Sequence, residues 1–168
     1  MTAAPILTTA RLTLRPFTLA DYPAFAACLQ SPRARGMGGP FDSFGAWSLF
    51  CHDVAGWALY GHGGLAITHS ADGVVMGEIV LNAGPLFPEP ELGWTLYDGF
   101  EGQGYATEAA AALRDWAFAQ LSYPSLVSYC DADNLASQAV ALRLGAVPDA
   151  DAPRPDPSDL VFRHRRPA

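Results

Sequence analysis

The residues best suited to chemistry in this sequence form a short run, Gly102-Gln103-Gly104-Tyr105-Ala106-Thr107, between an alternating apolar stretch and a long alanine-rich one. Small residues at 102, 104 and 106 let backbone N–H groups converge without Cβ obstruction. A helix opening there adds unsatisfied N–H donors and the positive end of its dipole, which together suit an anion such as a pyrophosphate. Thr107 can add a hydroxyl. A helix start that only needed flexible glycines would read the same way. The sharper rival is the GxGxxG fingerprint of an NAD-type nucleotide-binding domain. It fails twice: Thr107 stands at the third glycine, and residues 98–101 separate the strand from the first. Asp131, after the next strand, does mimic the acidic ribose ligand of that class.

Composition narrows the chemistry further. All ten basic residues are arginine and none is lysine, which excludes a Walker-type phosphate loop and a pyridoxal-phosphate site, since each requires one. A net charge of −7 opposes nucleic-acid binding, which rests on clustered cations, and the run Arg163-His164-Arg165-Arg166 reads as a solvated strand end. Cys28, Cys51 and Cys130 are odd in number and lack CxxC spacing, so they read as reduced, mostly packed residues. His52, His62, His69 and His164 are scattered, and no metal is expected. No apolar run approaches the roughly 18 residues of a membrane span. Met1 to Ala10 lack the basic start and apolar core of a secretory signal. A cytoplasmic protein with no membrane partner is expected.

The elements that must position the loop follow from periodicity. Leu12 and Leu14 alternate with Thr13 and Arg15 as in a half-buried strand. Thr18 and Asp21 offer a variant capping box for a helix to about Gln30, with Pro23 early enough to be tolerated. Ser31 to Pro40 reads as a loop. Ser43 is the expected cap of a second helix, with Trp47, Phe50, Cys51, Val54 and Trp57 at helical spacing, and Trp47 and Trp57 read as core. Leu65–His69 and Val74–Asn82 flank a turn at Asp72-Gly73, a hairpin pattern. After a proline-punctuated connection come a strand from Glu91 to Tyr97 and a helix with Tyr105, Ala109, Ala112, Leu113, Trp116, Ala117 and Leu121 on one stripe. A strand Ser125–Cys130, a helix from Asn134 to a stop at Gly145, a loop Pro148–Pro157 and a strand Leu160–Arg165 complete the chain. The order β-α-α-β-β-β-α-β-α-β predicts one α/β domain, residues 1–168, of the α+β type with a mixed sheet.

Glu91-Leu92-Gly93-Trp94 followed by Gly102-Gln103-Gly104-Tyr105-Ala106-Thr107-Glu108-Ala109 resembles the central motif of GNAT acetyltransferases, and more narrowly the RimJ/RimL-like branch that acetylates ribosomal-protein N-termini. Three more segments resemble that branch: Ala10-Arg11-Leu12-Thr13-Leu14-Arg15-Pro16 its opening strand, Asn134-Leu135-Ala136-Ser137 with Gly145 its last helix, and Met37-Gly38-Gly39-Pro40 its acceptor-side segment. The resemblance covers nearly the whole chain and implies a GNAT fold, a splayed central sheet flanked by helices.

It also implies roles. Acetyl-CoA would place its pyrophosphate on the backbone amides of Gly102, Gln103, Gly104, Tyr105 and Ala106, and its pantetheine arm between the strands Glu91–Tyr97 and Ser125–Cys130, paired with the backbone of Trp94 and Leu96. An amine, of a small molecule or a protein N-terminus, would attack the thioester directly. Glu91 is the implied base, with Glu78 or a water as alternatives. Ala141 stands where many members carry a tyrosine acid, which leaves Ser137 to bond the thioester sulfur. It also leaves open a non-catalytic acetyl-CoA sensor. Asn134 is read as a pantetheine ligand or a helix cap. Glu101 departs from the usual Gln, Arg or aromatic residue and brings repulsion near a diphosphate if it points inward. The acceptor pocket is expected around residues 33–44 and 82–87, with Arg33 and Arg35 solvated or meeting an acceptor carboxylate. A monomer or homodimer is implied.

Overall fold

The structure, a computed structural model, describes residues 4–167; Ala168 and the first three residues of the stretch read above for a leader lie outside the described residues. Eight strands form one sheet: β1 (Leu7–Thr8), β2 (Leu12–Arg15), β3 (Gly64–His69), β4 (Val75–Asn82), β5 (Glu91–Leu96), β6 (Ser125–Cys130), β7 (Val147–Pro148) and β8 (Leu160–Arg165). Their spatial order is β1-β2-β3-β4-β5-β6-β8-β7. Every pairing is antiparallel except β5 with β6. This mixed order disposes of the doubly wound parallel sheet that an NAD-type domain requires.

Four α-helices cover the sheet: α1 (Tyr22–Leu29), α2 (Ser43–Leu59), α3 (Tyr105–Gln120) and α4 (Leu135–Arg143). The alternation of β2 to β5 sends Leu12, Leu14, Leu65, Ile67, Ile79, Leu81 and Leu92 to one face, where Ala109, Ala110, Leu113 and Ala117 of α3 pack on them. The small alanines let α3 lie close to the strands. On the other face α1 and α2 build a second cluster from Phe25, Leu29, Ala46 and Phe50 around Phe17, Ala66 and Tyr97. No helix among the described residues is long and apolar enough to cross a membrane.

Several expectations need correction. Pro32–Met37 is a 3-10 helix, not a plain loop; the Ser31 hydroxyl accepts from the Arg33 N–H at its start. Asp42, not Ser43, caps α2, accepting from Gly45 N–H at 2.7 Å. The buried stripe of α2 is Ala46, Phe50, Asp53, Gly56 and Trp57, while Trp47, Cys51 and Val54 are exposed. The helix is rotated from its purely apolar reading because its inner face carries an acid. The basic run at the end of β8 is not all solvated either. Arg163 is clamped by Glu89 at 2.7 Å and Asp149 at 2.5 Å, and His164 is buried. The two-residue strands β1 and β7 are too short to announce themselves by alternation.

Candidate active site

The two parallel strands form a fork. β5 and β6 share one register pair, Glu91 with Val127, and Val127 N–H donates to Pro90 O at 2.9 Å. One step further the Ser128 hydroxyl donates to Leu92 O at 2.6 Å and closes the fork. Because Ser128 gives its only proton to Leu92, the 3.0 Å contact from His164 is an Nε2–H donation to Ser128 Oγ. The other ring nitrogen, Nδ1, is buried without a partner. Burial, with Arg114 nearby, brings the His164 pKa down to about 4.

Beyond Leu92 the strands diverge. Tyr97 N–H bonds Met76 O of β4, whereas Leu92 O faces β6, so alternation turns the backbone groups of Trp94 and Leu96 into the gap. The Leu96 carbonyl is already taken, by Arg33 Nη2 at 2.7 Å and Nε at 3.2 Å. The open edge therefore consists of the Trp94 N–H and C=O and the Leu96 N–H. A cleft of about 1330 Å³ follows this edge from the glycine loop to Glu78 and Asn82.

Gly102 and Gly104 adopt φ of 74° and 83°, the left-handed region that side chains disfavour. The first bond within α3 runs from Glu108 N–H to Gly104 O, so the N–H groups of residues 105–107 are unspent by the helix. Gly102, Gly104, Ala106 and Thr107 line the cleft. Gln103 and Tyr105 do not, and can contribute backbone only. Arg11 explains their placement: it donates to Gln103 O at 3.0 Å, lies 4.5 Å over the Tyr105 ring and pairs with Glu108 at 2.7 Å. The opening strand thus fixes both the loop and the first turn of α3. Glu101 lines the cleft, but with an engaged side chain. Its carboxylate takes its own N–H and that of Gly99 and pairs with Arg33, which together hold it below the usual range. Arg33 is thus exposed, but engaged with protein partners.

From α4, Asn134 and Ser137 both line the cleft. Asn134 is the helix cap, its Oδ1 accepting from Ser137 N–H at 3.1 Å, and its amide nitrogen remains available. The Ser137 hydroxyl has no protein partner among the described residues. Ala141, buried against Cys130, Ala146 and Phe162, does not line the cleft.

Carboxyls gather on the side of the sheet facing α2. Glu91 lies opposite Asn82 in the ladder and accepts its amide at 3.0 Å; burial raises its pKa. On the same face, Glu78 is 3 % exposed, and burial lifts it to about 7. Asp53 of α2 is 5 % exposed, held well above its ordinary pKa by burial and then by Glu78. Sequence reading missed Asp53, although the clue was there: it falls three residues after Phe50 and four before Trp57, on the inner stripe. Both acids line a side pocket of about 120 Å³ that shares Met37, Val80, Asn82 and Phe87 with the main cleft.

Comparison with known proteins agrees with this geometry. The family model of the acetyltransferase (GNAT) domain matches residues 11–147. The crystal structure of an acetyltransferase from Agrobacterium tumefaciens str. C58 is 53 % identical, with a TM-score of 0.94 over 98 % of this chain and 96 % of that one. The ribosomal L7/L12 α-N-protein acetyltransferase RimL, in complex with coenzyme A, shares the fold at 19 % identity, with a TM-score of 0.74 over 96 % of this chain and 98 % of RimL. The uncharacterized N-acetyltransferase YnaD of Bacillus subtilis (strain 168) is 29 % identical over 55 residues, a match spanning 33 % of this chain and 32 % of YnaD. The chain belongs to the GNAT acetyltransferase family, the acetyl-CoA-dependent acyltransferases that its glycine loop and forked strands resemble.

Proposed function

We propose that residues 1–168 act as one acetyltransferase domain that moves the acetyl group of acetyl-CoA onto a primary amine, of a small molecule or a protein N-terminus, by direct attack. The observation that carries this reading is the fork itself: an open strand edge, the Trp94 N–H and C=O and the Leu96 N–H, in one cleft with the N–H-rich turn at residues 102–107. A pantetheine arm can pair with that edge as a further strand, and a diphosphate can sit on the helix start. The amide nitrogen of Asn134 is placed to bond the arm, and the Ser137 hydroxyl to bond the departing sulfur.

Glu91 takes a proton from the acceptor's ammonium, directly or through a water. The freed amine attacks the thioester carbonyl, forming the amide as the C–S bond breaks and coenzyme A leaves as its thiolate. The raised pKa of Glu91 suits a base that must hold a proton and pass it on. Glu78, at about 7, is the alternative base. Ala141 itself does not line the cleft, and the Ser137 hydroxyl is the candidate donor to the sulfur in place of a tyrosine.

The test is a mixture of the protein with acetyl-CoA and a panel of amines and peptides, followed by thiol release. Release that depends on an amine is the expected result. Thermal stabilisation by acetyl-CoA with no turnover across the panel would favour the sensor, and stabilisation by NAD but not by coenzyme A would overturn the reading.

A further inference from the structure

The side pocket beneath the cleft holds two acids and no cation. Glu78 and Asp53 are 3 % and 5 % exposed, line the pocket, and have no hydrogen-bond or ionic partner among the described residues. Arg15, Arg33 and Arg35 are engaged elsewhere, with Asp21, with Glu101 and Leu96 O, and with Asp133. His52 on the wall lies against the Phe87 ring, 6.1 Å between centroids. Two neighbouring buried carboxyls with no cation beside them cannot ionise at low cost, so the pair resists giving up its protons until a positive charge enters. A negative charge buried there is stable only when matched, and no group among the described residues matches one.

We propose that the acceptor supplies the match: an aliphatic diamine whose far ammonium sits on the Asp53–Glu78 pair while its near amine faces Glu91 and the fork. This inference rests on the acetyl-transfer reading above and names its substrate class. Three features carry it. The pocket is connected to the cleft through Val80 and Asn82, and Asn82 is the residue that holds Glu91. Glu78 and Asn82 are four residues apart on one face of β4, roughly 13 Å of strand, a span that an extended short-chain diamine covers with a hydrogen-bonded ion pair at each end. The walls between the two ends are Phe25, Leu49, Val80, Leu86 and Phe87, which suit methylenes and offer no donor to a carboxylate. An acceptor ending in a carboxylate would meet two acids there, and one ending in a methyl would bring no positive charge.

The experiment compares acceptors of equal length with different tails: 1,4-diaminobutane, butylamine and 4-aminobutanoate, and the corresponding five-carbon set. Thiol release is measured on wild type, Asp53→Asn and Glu78→Gln, with calorimetric binding of each acceptor in the presence of coenzyme A. The diamines are expected to exceed the monoamines at least tenfold in kcat/KM, and the amino acids to be poorest. Asp53→Asn is expected to remove most of the diamine advantage while coenzyme A binding stays unchanged. Equal use of diamine and monoamine, a preference for the amino acid, absence of diamine binding in wild type, or an undiminished diamine advantage in Asp53→Asn would each overturn the proposal. If coenzyme A itself failed to bind, the acetyl-transfer reading would fail instead, so the two failures are distinguishable. Glu78→Gln checks the same loss should Asp53→Asn fold poorly.

Discussion

Arg33 caps the carbonyl of Leu96, with Nη2 at 2.7 Å and Nε at 3.2 Å, and so ties the 3-10 helix Pro32–Met37 to the open edge of the fork. The same guanidinium pairs with Glu101 and lies 3.6 Å from Asp98. It therefore offsets the one acid that stands at the start of the anion loop.

Replacing Arg33 by Ala is expected to weaken coenzyme A binding about tenfold, the scale of a lost charge-assisted hydrogen bond of roughly 1.5 kcal/mol. Arg33→Ala/Glu101→Gln should recover part of the loss, because the uncompensated acid is then gone. Calorimetry on the two variants decides it; equal affinities for wild type and Arg33→Ala would remove the role.

Gly104 is held at φ 83° at the mouth of α3. Gly104→Ala should cost about 1–2 kcal/mol for the left-handed backbone alone and lower coenzyme affinity through a displaced turn. Gly104→Glu adds a side chain and a negative charge and should abolish binding. Isothermal titration alongside a circular dichroism melt separates a blocked site from an unfolded protein. Normal affinity in Gly104→Glu would refute the placement of the diphosphate.

Glu91→Gln and Ser137→Ala should act on turnover and not on the coenzyme. General-base assistance is worth roughly 10²–10⁴ in rate, so Glu91→Gln is expected to fall by at least a hundredfold in kcat, with coenzyme KM unchanged and the acid limb of its pH–rate profile lost. Ser137→Ala should lose about tenfold, one hydrogen bond to a developing thiolate. If Glu91→Gln keeps the wild-type profile, the base is Glu78 or water.

The acid pocket also predicts a pH-dependent stability. Glu78 binds its proton more tightly folded, at about 7, than in the ordinary range near 4.5. Its contribution is thus fully present below about 4.5 and is lost as pH rises through about 7. Glu78→Gln puts a neutral amide of the same shape in place of the carboxyl and never ionises. Its melting temperature relative to wild type should therefore rise between pH 5 and 8, in the absence of amine. A difference that stays flat with pH would show that Glu78 titrates normally.

Much of this architecture was legible from residue order, and the reasons differ by element. Strands β2 to β6 and helix α3 carry clean periods, because each has one face on a continuous core. The loop at 102–107 was readable because positive φ and close backbone approach leave glycine as the natural residue. Asp53 was missed because an apolar-stripe rule assigns helix faces by hydrophobicity and so passes over an acid on the inner face. The stripe through Ala46, Phe50 and Trp57 places it inward. The ion pairs of Arg33 and Arg163 went unread because their partners, Glu101 and Glu89, lie 68 and 74 residues away. Long-range ion pairs leave no periodic mark.

The hydroxyl of Ser128, pinned between Leu92 O and His164, makes the hinge of the fork indifferent to acid over the working range. With His164 neutral at any pH above about 4, the frame that aligns β5 with β6 keeps one proton arrangement while the acids around the acceptor change theirs. A rate profile around neutral pH is then expected to report the amine and Glu78, at about 7, and not the β5–β6 frame.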